Sequence, residues 1–477
     1  MFQSRLIING EPREPAGGVF ERRGPESDHV VTQAAAARAG EAASAAAAAA
    51  AAFERWSHSA ASDRAAILLR AADLMQQREE EVVAIARQEL GASAEWVRFN
   101  NALARGTLAQ AATLPALMRD ETETARSGIR VTLRRRPAGV VLCVAPWNAA
   151  VTLATRAVAA PLACGNTVVM KASELCPKTH EWVARALIDA GLPPGVLNFL
   201  TNAPDHAAEV MEALVAHPAI RRVNFTGSTR VGREIAVLAA RHLKPCLLEL
   251  SGKGTMIVLD DADLDHAAEQ AAHAAFFNQG QICMSAERII VDDRIADPFL
   301  SRLRDRAEGL RTTRAGGGPL GSMVIPGAAV RLRAFVDDAL SRGAELVTGG
   351  DMYGPDLQPT LLDRVAPGMR LYDEEAFGPI AGVIRVGDAD EALALANDTD
   401  FGLVAAVFTR DTARGMAMLR EIETGIGHLN RSTVFDDPAM PFGGVKASGH
   451  GWFGGRETIR EFTELQVLTE PPAPGAP

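Results

Sequence analysis

The run Gly139-Val140-Val141-Leu142-Cys143-Val144-Ala145 is apolar, of strand length, and followed by Pro146. A helical stretch starts at Asn148. The alternation then repeats. Residues 166–171 read as a strand and 178–190 as a helix, 196–200 as a strand and 206–216 as a helix. Residues 222–225 read as a strand, 231–240 as a helix and 246–250 as a fifth strand. Strand, crossover helix and strand in succession make a parallel sheet with helices on both faces. Such sheets bind ligands at the carboxyl ends of their strands. Asn148, Lys171, Gly227 and Glu249 fall at or just after strand ends, so one crevice can gather them.

Around this region the chain is also ordinary α/β material. Upstream, the alanine run 45–52 lies between Glu41 and Glu54-Arg55; alanine is the best helix former, so an N-terminal helix is expected. The run is too short to span a bilayer. Downstream, 263–279 reads as a helix leading into a cysteine-bearing loop. Strands are expected near 289–291, 345–347 and 382–386, with helices near 298–310 and 329–342. Gly316-Gly317-Gly318-Pro319 and Gly349-Gly350 read as loops, and the tail from Pro471 as loose chain.

A length of 477 residues accommodates roughly two to four domains. The net charge of −10 argues against a nucleic-acid partner, which selects a basic stripe. The start lacks a basic region followed by an apolar one, so no secretory signal is expected. Five cysteines without a CxxC pattern suit reduced thiols in a cytoplasmic protein. The ten histidines show no HExxH or CxxC…H pattern, so no metal is expected.

Four segments carry chemistry. Phe276-Phe277-Asn278-Gln279-Gly280-Gln281-Ile282-Cys283 ends in an isolated cysteine, which is either buried packing or a nucleophile. Cys143, Cys164, Cys176 and Cys246 lie in or beside apolar runs and read as packing. Leu247-Leu248-Glu249-Leu250 sets a carboxylate in an apolar run. Desolvation there raises a carboxyl pKa and makes a usable base, unless the group is a buried ion-pair partner. Asn148, in Ala145-Pro146-Trp147-Asn148, can cap a helix or donate its amide to an oxyanion. Phe225-Thr226-Gly227-Ser228-Thr229-Arg230-Val231-Gly232 puts glycines at a strand-to-helix turn. Backbone N–H groups and a helix N-terminus can there approach a pyrophosphate, although the segment departs from GxGxxG. Nucleophile, base, oxyanion donor and phosphate loop form a set for oxidising an aldehyde with a nicotinamide cofactor.

These residues also resemble the aldehyde dehydrogenase superfamily, nearly end to end. Cys283 falls on the family's nucleophile, Glu249 on its general base and Asn148 on its oxyanion amide. Lys171-Ala172-Ser173-Glu174 resembles the adenosine-ribose segment, Glu375-Ala376-Phe377-Gly378-Pro379 the nicotinamide side, and Pro441-Phe442-Gly443-Gly444-Val445-Lys446 the closing signature. The resemblance implies a Rossmann-like parallel-sheet cofactor domain (1–119 and 137–248) and an α/β catalytic domain (249–447). It adds a small bridging element that makes oligomers (120–136 and 448–477), here a homodimer or homotetramer. It places Trp147, Lys171, Ser173, Glu174, Gly227, Ser228, Gly232, Leu250, Glu375 and Phe377 against the cofactor. That cofactor is NAD, with NADP left open, because a carboxylate at Glu174 bonds ribose hydroxyls and repels a 2′-phosphate. Glu249 marks a hydrolytic enzyme, since relatives that pass the acyl group to coenzyme A generally lack it.

The aldehyde is read from a helix face. With Asn148 at its start, Thr152 and Arg156 follow at i+4 and i+8, about 12 Å along for Arg156. Thr155-Arg156-Ala157 and the stretch 439–449 resemble the branch acting on vanillin, salicylaldehyde and benzaldehyde. Phe276, Phe277 and Phe435 are candidates for an aromatic wall, with Ile282 and Phe442 beside them. Arg156 is either a substrate contact or a structural ion pair. Three positions depart from the family pattern. Ser251 stands where a glycine is usual, and a positive φ there would bring strain. His450 and Trp452 stand where Tyr and Arg are common. The reading is an NAD-dependent, hydrolytic aldehyde dehydrogenase for an aromatic aldehyde. Its rivals are a semialdehyde or betaine-aldehyde type and a catalytically silent protein on the same fold.

Overall fold

The computed structural model describes residues 1–27, 29–125, 129–311 and 319–471. Five parallel strands form the centre of the first sheet, in spatial order Cys246–Glu249, Ile220–Thr226, Val140–Val144, Thr167–Lys171 and Leu197–Leu200. All five expected strands are present. Gly449–His450 pairs antiparallel on one edge, and Leu6–Ile8 followed by Glu11–Arg13 on the other. Residues 449–450, grouped with the bridging element in the sequence reading, thus complete the first sheet instead. The chain runs outward from Val140–Val144 in one direction and resumes on its other side at Ile220–Thr226. This reversal opens a crevice at the carboxyl ends of those two strands.

Two helices support that crevice. Ala39–Ser57 contains the alanine run and buries Ala42, Ala45, Ala46 and Ala49, one face at helical spacing. Alanine's small side chain lets this helix lie close to the sheet, and Thr167 donates its hydroxyl to Ala49 O at 2.9 Å. Ala150–Ala163 is buried along its whole length, and Ala94–Ala111 packs against it.

The chain crosses from the first sheet to the second in four residues, from Glu249 to Gly254. The second sheet orders Glu345–Thr348, Thr360–Asp363, Ile380–Val386, Ala286–Asp292, Gly254–Val258, Val404–Phe408 and Ile426–Leu429. All pairs are parallel except that of Glu345–Thr348. Four of these strands carry no expectation from sequence. A third sheet joins Glu121–Thr124, Arg130–Pro137 and Thr463–Glu470 antiparallel. The Gly316–Gly318 part of one expected loop, and the tail beyond Pro471, lie outside the described residues. Among those described, no helix is long and apolar enough to cross a membrane.

Candidate active site

Cys283 follows a short helical turn, Phe277–Gly280, in which Asn278, Gln279 and Gly280 have φ of 48°, 56° and 66°. Left-handed backbone at two residues with Cβ atoms persists only where the surroundings hold it. They do so here. Gln279 bonds Ser322 O and Gly321 N through its side chain, Gln281 accepts from Val324 N, and Asn278 donates to Asn148 O. A Cβ on Gly280 would meet Gly378 O at 2.1 Å, so the turn is closed to larger residues.

Cys283 is partly exposed and lines a pocket. Its thiol lies within electrostatic reach of Glu249, which ends its strand beside Thr226. Glu249 is 2% exposed, and one of its carboxylate oxygens has no hydrogen-bond partner. Burial pushes its carboxyl up to about 7, against the opposing effects of Cys283 and Arg156. Burial, and then the Glu249 carboxylate, raise the Cys283 thiol well above its ordinary value. Both shifts favour the protonated form of the group concerned, so the resting thiol keeps its proton. Of the other cysteines, Cys143, Cys164 and Cys176 are buried, with burial pushing Cys164 up to about 12. Cys246 is partly buried and is pushed up to about 11 by the same effect.

Asn148 does not cap the helix. That position is Ala149, which makes no side-chain bond. The Asn148 amide donates instead to Gln281 O at 3.1 Å, and its backbone carbonyl accepts from Trp96 Nε1 at 3.0 Å. The side chain is thereby aimed into the pocket of Cys283, with its second N–H not engaged by that bond.

Thr152 and Arg156 line the same pocket, as their spacing from Asn148 predicts. Arg156 is also ion-paired, to Asp436, with both side chains under a tenth exposed. Its guanidinium lies 4.5 Å over the Phe442 ring. The two readings of Arg156 are thus one arrangement. Its charge also reaches Cys283 and Glu249, so it is not remote from the chemistry as the helix spacing alone suggests. Ile282 and Phe442 line the pocket too.

The aromatic wall differs from expectation. Phe276 is wholly buried in the core. Phe435 turns away and packs on His428 and Arg431. Phe277 stands behind the wall, edge-on to Trp96 at 5.0 Å and to Phe99 at 5.7 Å. Trp96 and Phe99 themselves line the pocket, with Val434 and Asp436. These four were not anticipated. Trp96 and Phe99 are brought in by Ala94–Ala111, and helical spacing on that segment shows only which residues face inward.

On the opposite side of the crevice, Ser228 caps the helix Thr229–Arg241 by accepting from Val231 N. A Cβ on Gly227 would meet the Phe225 ring at 2.5 Å, and one on Gly232 would meet Leu250 at 2.3 Å. Both glycines keep this strand-to-helix turn close. Glu174 bonds Lys171 at 2.5 Å and Asn202 at 3.0 Å. Burial opposes its ionisation, but Lys171 and these bonds outweigh it and hold the carboxyl below its ordinary value. Ser173 is buried beside it and accepts from Leu175 N. Trp147 and Phe377 meet edge to face at 5.6 Å. Glu375 accepts from Gly252 N at 2.9 Å. This donor set suits a dinucleotide: helix-start N–H groups for phosphates, carboxylates for ribose hydroxyls and aromatic faces for a ring.

The three departures have defined places. Ser251 has no positive φ, so the strain that a glycine would relieve is absent. Its hydroxyl accepts from Thr229 N at 3.4 Å. His450 pairs with Leu248 at the sheet edge, and Trp452 N donates to Glu461. Neither lines the pocket of Cys283.

A parallel sheet that gathers thiol, carboxylate and amide in one crevice beside a dinucleotide-type turn defines an oxidoreductase site. The chain belongs to the aldehyde dehydrogenase family, whose model matches residues 13–468. It is 50% identical over 476 residues to a vanillin dehydrogenase from a Pseudomonas species, covering 98% of each chain. The crystal structure of a salicylaldehyde dehydrogenase from Pseudomonas putida, complexed with salicylaldehyde, superposes with a TM-score of 0.97 at 42% identity, covering 99% of each chain. An NADP-dependent glyceraldehyde-3-phosphate dehydrogenase from Bacillus halodurans, complexed with NADP, has a TM-score of 0.94 at 32% identity, covering 99% of this chain and all of that one. The family uses NAD or NADP.

Proposed function

We propose that this protein oxidises aromatic aldehydes to carboxylic acids with NAD, through a thioester on Cys283. The observation that carries the aromatic reading is the pocket at Cys283, walled by Trp96, Phe99 and Phe442 and closed by the Arg156–Asp436 pair. Because Asp436 already neutralises Arg156, the pocket is not a receptor for a free carboxylate. It offers instead a buried acceptor and donor for a ring hydroxyl, and flat faces for the ring. That favours hydroxylated aromatic aldehydes over carboxylated semialdehydes. The likeness to vanillin and salicylaldehyde dehydrogenases supports the same choice.

The chemistry follows from the residues. Glu249 accepts the Cys283 thiol proton, and the sulfur adds to the aldehyde carbon, moving the carbonyl electron pair onto oxygen. The Asn148 amide and the Cys283 backbone N–H hold that oxyanion. Lys171, Glu174, the Gly227–Ser228 turn, Glu375 and Phe377 would hold a dinucleotide, which when bound would supply the acceptor for the hydride lost as C=O re-forms. Glu249, having released the thiol proton to solvent, then takes a proton from water as the water attacks the thioester carbon. The C–S bond breaks, and the acid and the free thiolate result.

A panel of aldehydes read by reduced-cofactor absorbance tests the reading. Vanillin and salicylaldehyde should exceed succinate semialdehyde in kcat/KM by at least about tenfold, the ratio set by one unpaired buried polar group. The reverse order would replace this reading with the semialdehyde one. Arg156→Leu is a poor probe, since it strands Asp436 as a buried unpaired charge at about 3–5 kcal/mol. Asp436→Asn also leaves one charge of the pair uncompensated, but it keeps the shape and an amide oxygen to accept from Arg156, so with folding checked by thermal unfolding it should narrow the gap between hydroxylated aldehydes and benzaldehyde several-fold. If that ratio does not move, the pair serves packing alone.

The preference for NAD rests on Glu174. Glu174→Gln is expected to bring the kcat/KM values for NAD and NADP closer together, because a 2′-phosphate then meets no anionic carboxylate. An unchanged ratio removes Glu174 from cofactor discrimination.

A further inference from the structure

Between Gly252 and the turn 374–377 lies a buried polar cluster that the chemistry above does not use. Lys253 and Glu287 are ion-paired at 2.9 Å, with side chains 0% and 3% exposed. Neither group is there only for the other. Lys253 Nζ also donates to Glu374 O at 2.6 Å. Glu287 Oε2 accepts from Ala376 N at 2.7 Å, and its Oε1 from Phe377 N at 2.8 Å. The carboxylate therefore binds two successive N–H groups of one turn while the ammonium binds a carbonyl of the same turn. Between these anchors, Glu375 is fixed by Gly252 N, the residue before Lys253. Phe377 has φ of 49°, a left-handed conformation that a residue with a Cβ holds only when its surroundings impose it.

A buried ion pair is weak evidence for stability, because desolvation roughly cancels the attraction. Here the geometry secures a shape. The pair takes up three backbone groups of residues 374–377, and the two side chains that this turn projects are the carboxylate and the ring facing the crevice. We propose that Lys253 and Glu287 are positioning residues that hold the turn 374–377 and, through Glu375 and Phe377, set the affinity for the dinucleotide. The inference rests on the reading of those two side chains as cofactor contacts.

The test is a titration of each variant with NADH alone, followed by fluorescence, beside thermal unfolding. Lys253→Met combined with Glu287→Gln removes both charges with little change of volume, so no unpaired ion is left buried. Its Kd for NADH should rise about tenfold, the loss expected when a preorganised contact is loosened. Glu287→Asp keeps the charge but draws the carboxylate back from the Ala376 and Phe377 N–H groups. It should fold as wild type and still bind NADH several-fold more weakly. Wild-type affinity in both of these variants, while Glu375→Gln or Phe377→Ala binds weakly, reduces the pair to a structural role and overturns the inference. Wild-type affinity in Glu375→Gln and also in Phe377→Ala overturns the cofactor reading of the turn, and the positioning role with it.

Discussion

Cys283→Ala is expected to abolish aldehyde oxidation, lowering kcat by about 10⁴-fold or more, the scale seen when a covalent nucleophile is removed. Dinucleotide binding should survive, because the groups assigned to it, on the turn at Gly227, the segment 171–174 and the turn 374–377, make no bond to the Cys283 thiol. Folding should survive as well. The side chain is only partly buried, and the loop is held by Gln279, Gln281 and Asn278 rather than by the thiol. The measurement is turnover with an aromatic aldehyde, together with an NADH titration of the same preparation. Turnover near the wild-type rate would make Cys283 a packing residue and remove the covalent mechanism.

Glu249→Gln is expected to separate the two halves of the reaction. Thioester hydrolysis needs a base for water, and the variant offers only an amide. In rapid mixing, reduced cofactor should appear as a burst and then continue at a rate lower by about 10²–10⁴-fold, the range of general base catalysis. The wild type should show the matching pH dependence. The carboxyl is raised to about 7, and only its ionised form is a base. Deacylation should therefore fall as pH drops through about 7, approaching tenfold per unit below it, and level off above. In the variant that inflection should vanish. Because Glu249 also receives the Cys283 proton, the burst should slow as well, but less than hydrolysis; a steady phase slowed no more than the burst, or an unchanged inflection, would take the water-activating role from Glu249.

The sequence reading was accurate where a local rule applies. Apolar runs between 139 and 250, broken by helical segments, define a parallel sheet because each strand buried on both faces must be apolar throughout. Thr152 and Arg156 share one face because helix geometry puts residues four apart in line, and Asn148, just before the helix, lines the same pocket. The second sheet was half legible. Gly254–Val258 opens on a glycine and Val404–Phe408 holds two alanines, residues depleted in strands, so neither run reads as a strand although the helices Leu264–Phe276 and Thr412–Glu421 follow them.

Residues 139–250 thus specify by their own pattern a doubly wound sheet with Asn148, Gly227 and Glu249 at its rim, and the motifs at Cys283 and Glu249 point to the chemistry proposed for it. Which side chains meet across the crevice depends on contacts between distant segments. Asp436 reaches Arg156 over 280 positions of chain, and Trp96 reaches Asn148 over 52. Phe435, next to Asp436 in sequence, turns the other way, onto His428 and Arg431. Periodicity carries no term for such pairings. They arise when two sheets and the helix Ala94–Ala111 pack together, and burial then forces Arg156 and Asp436 to find each other.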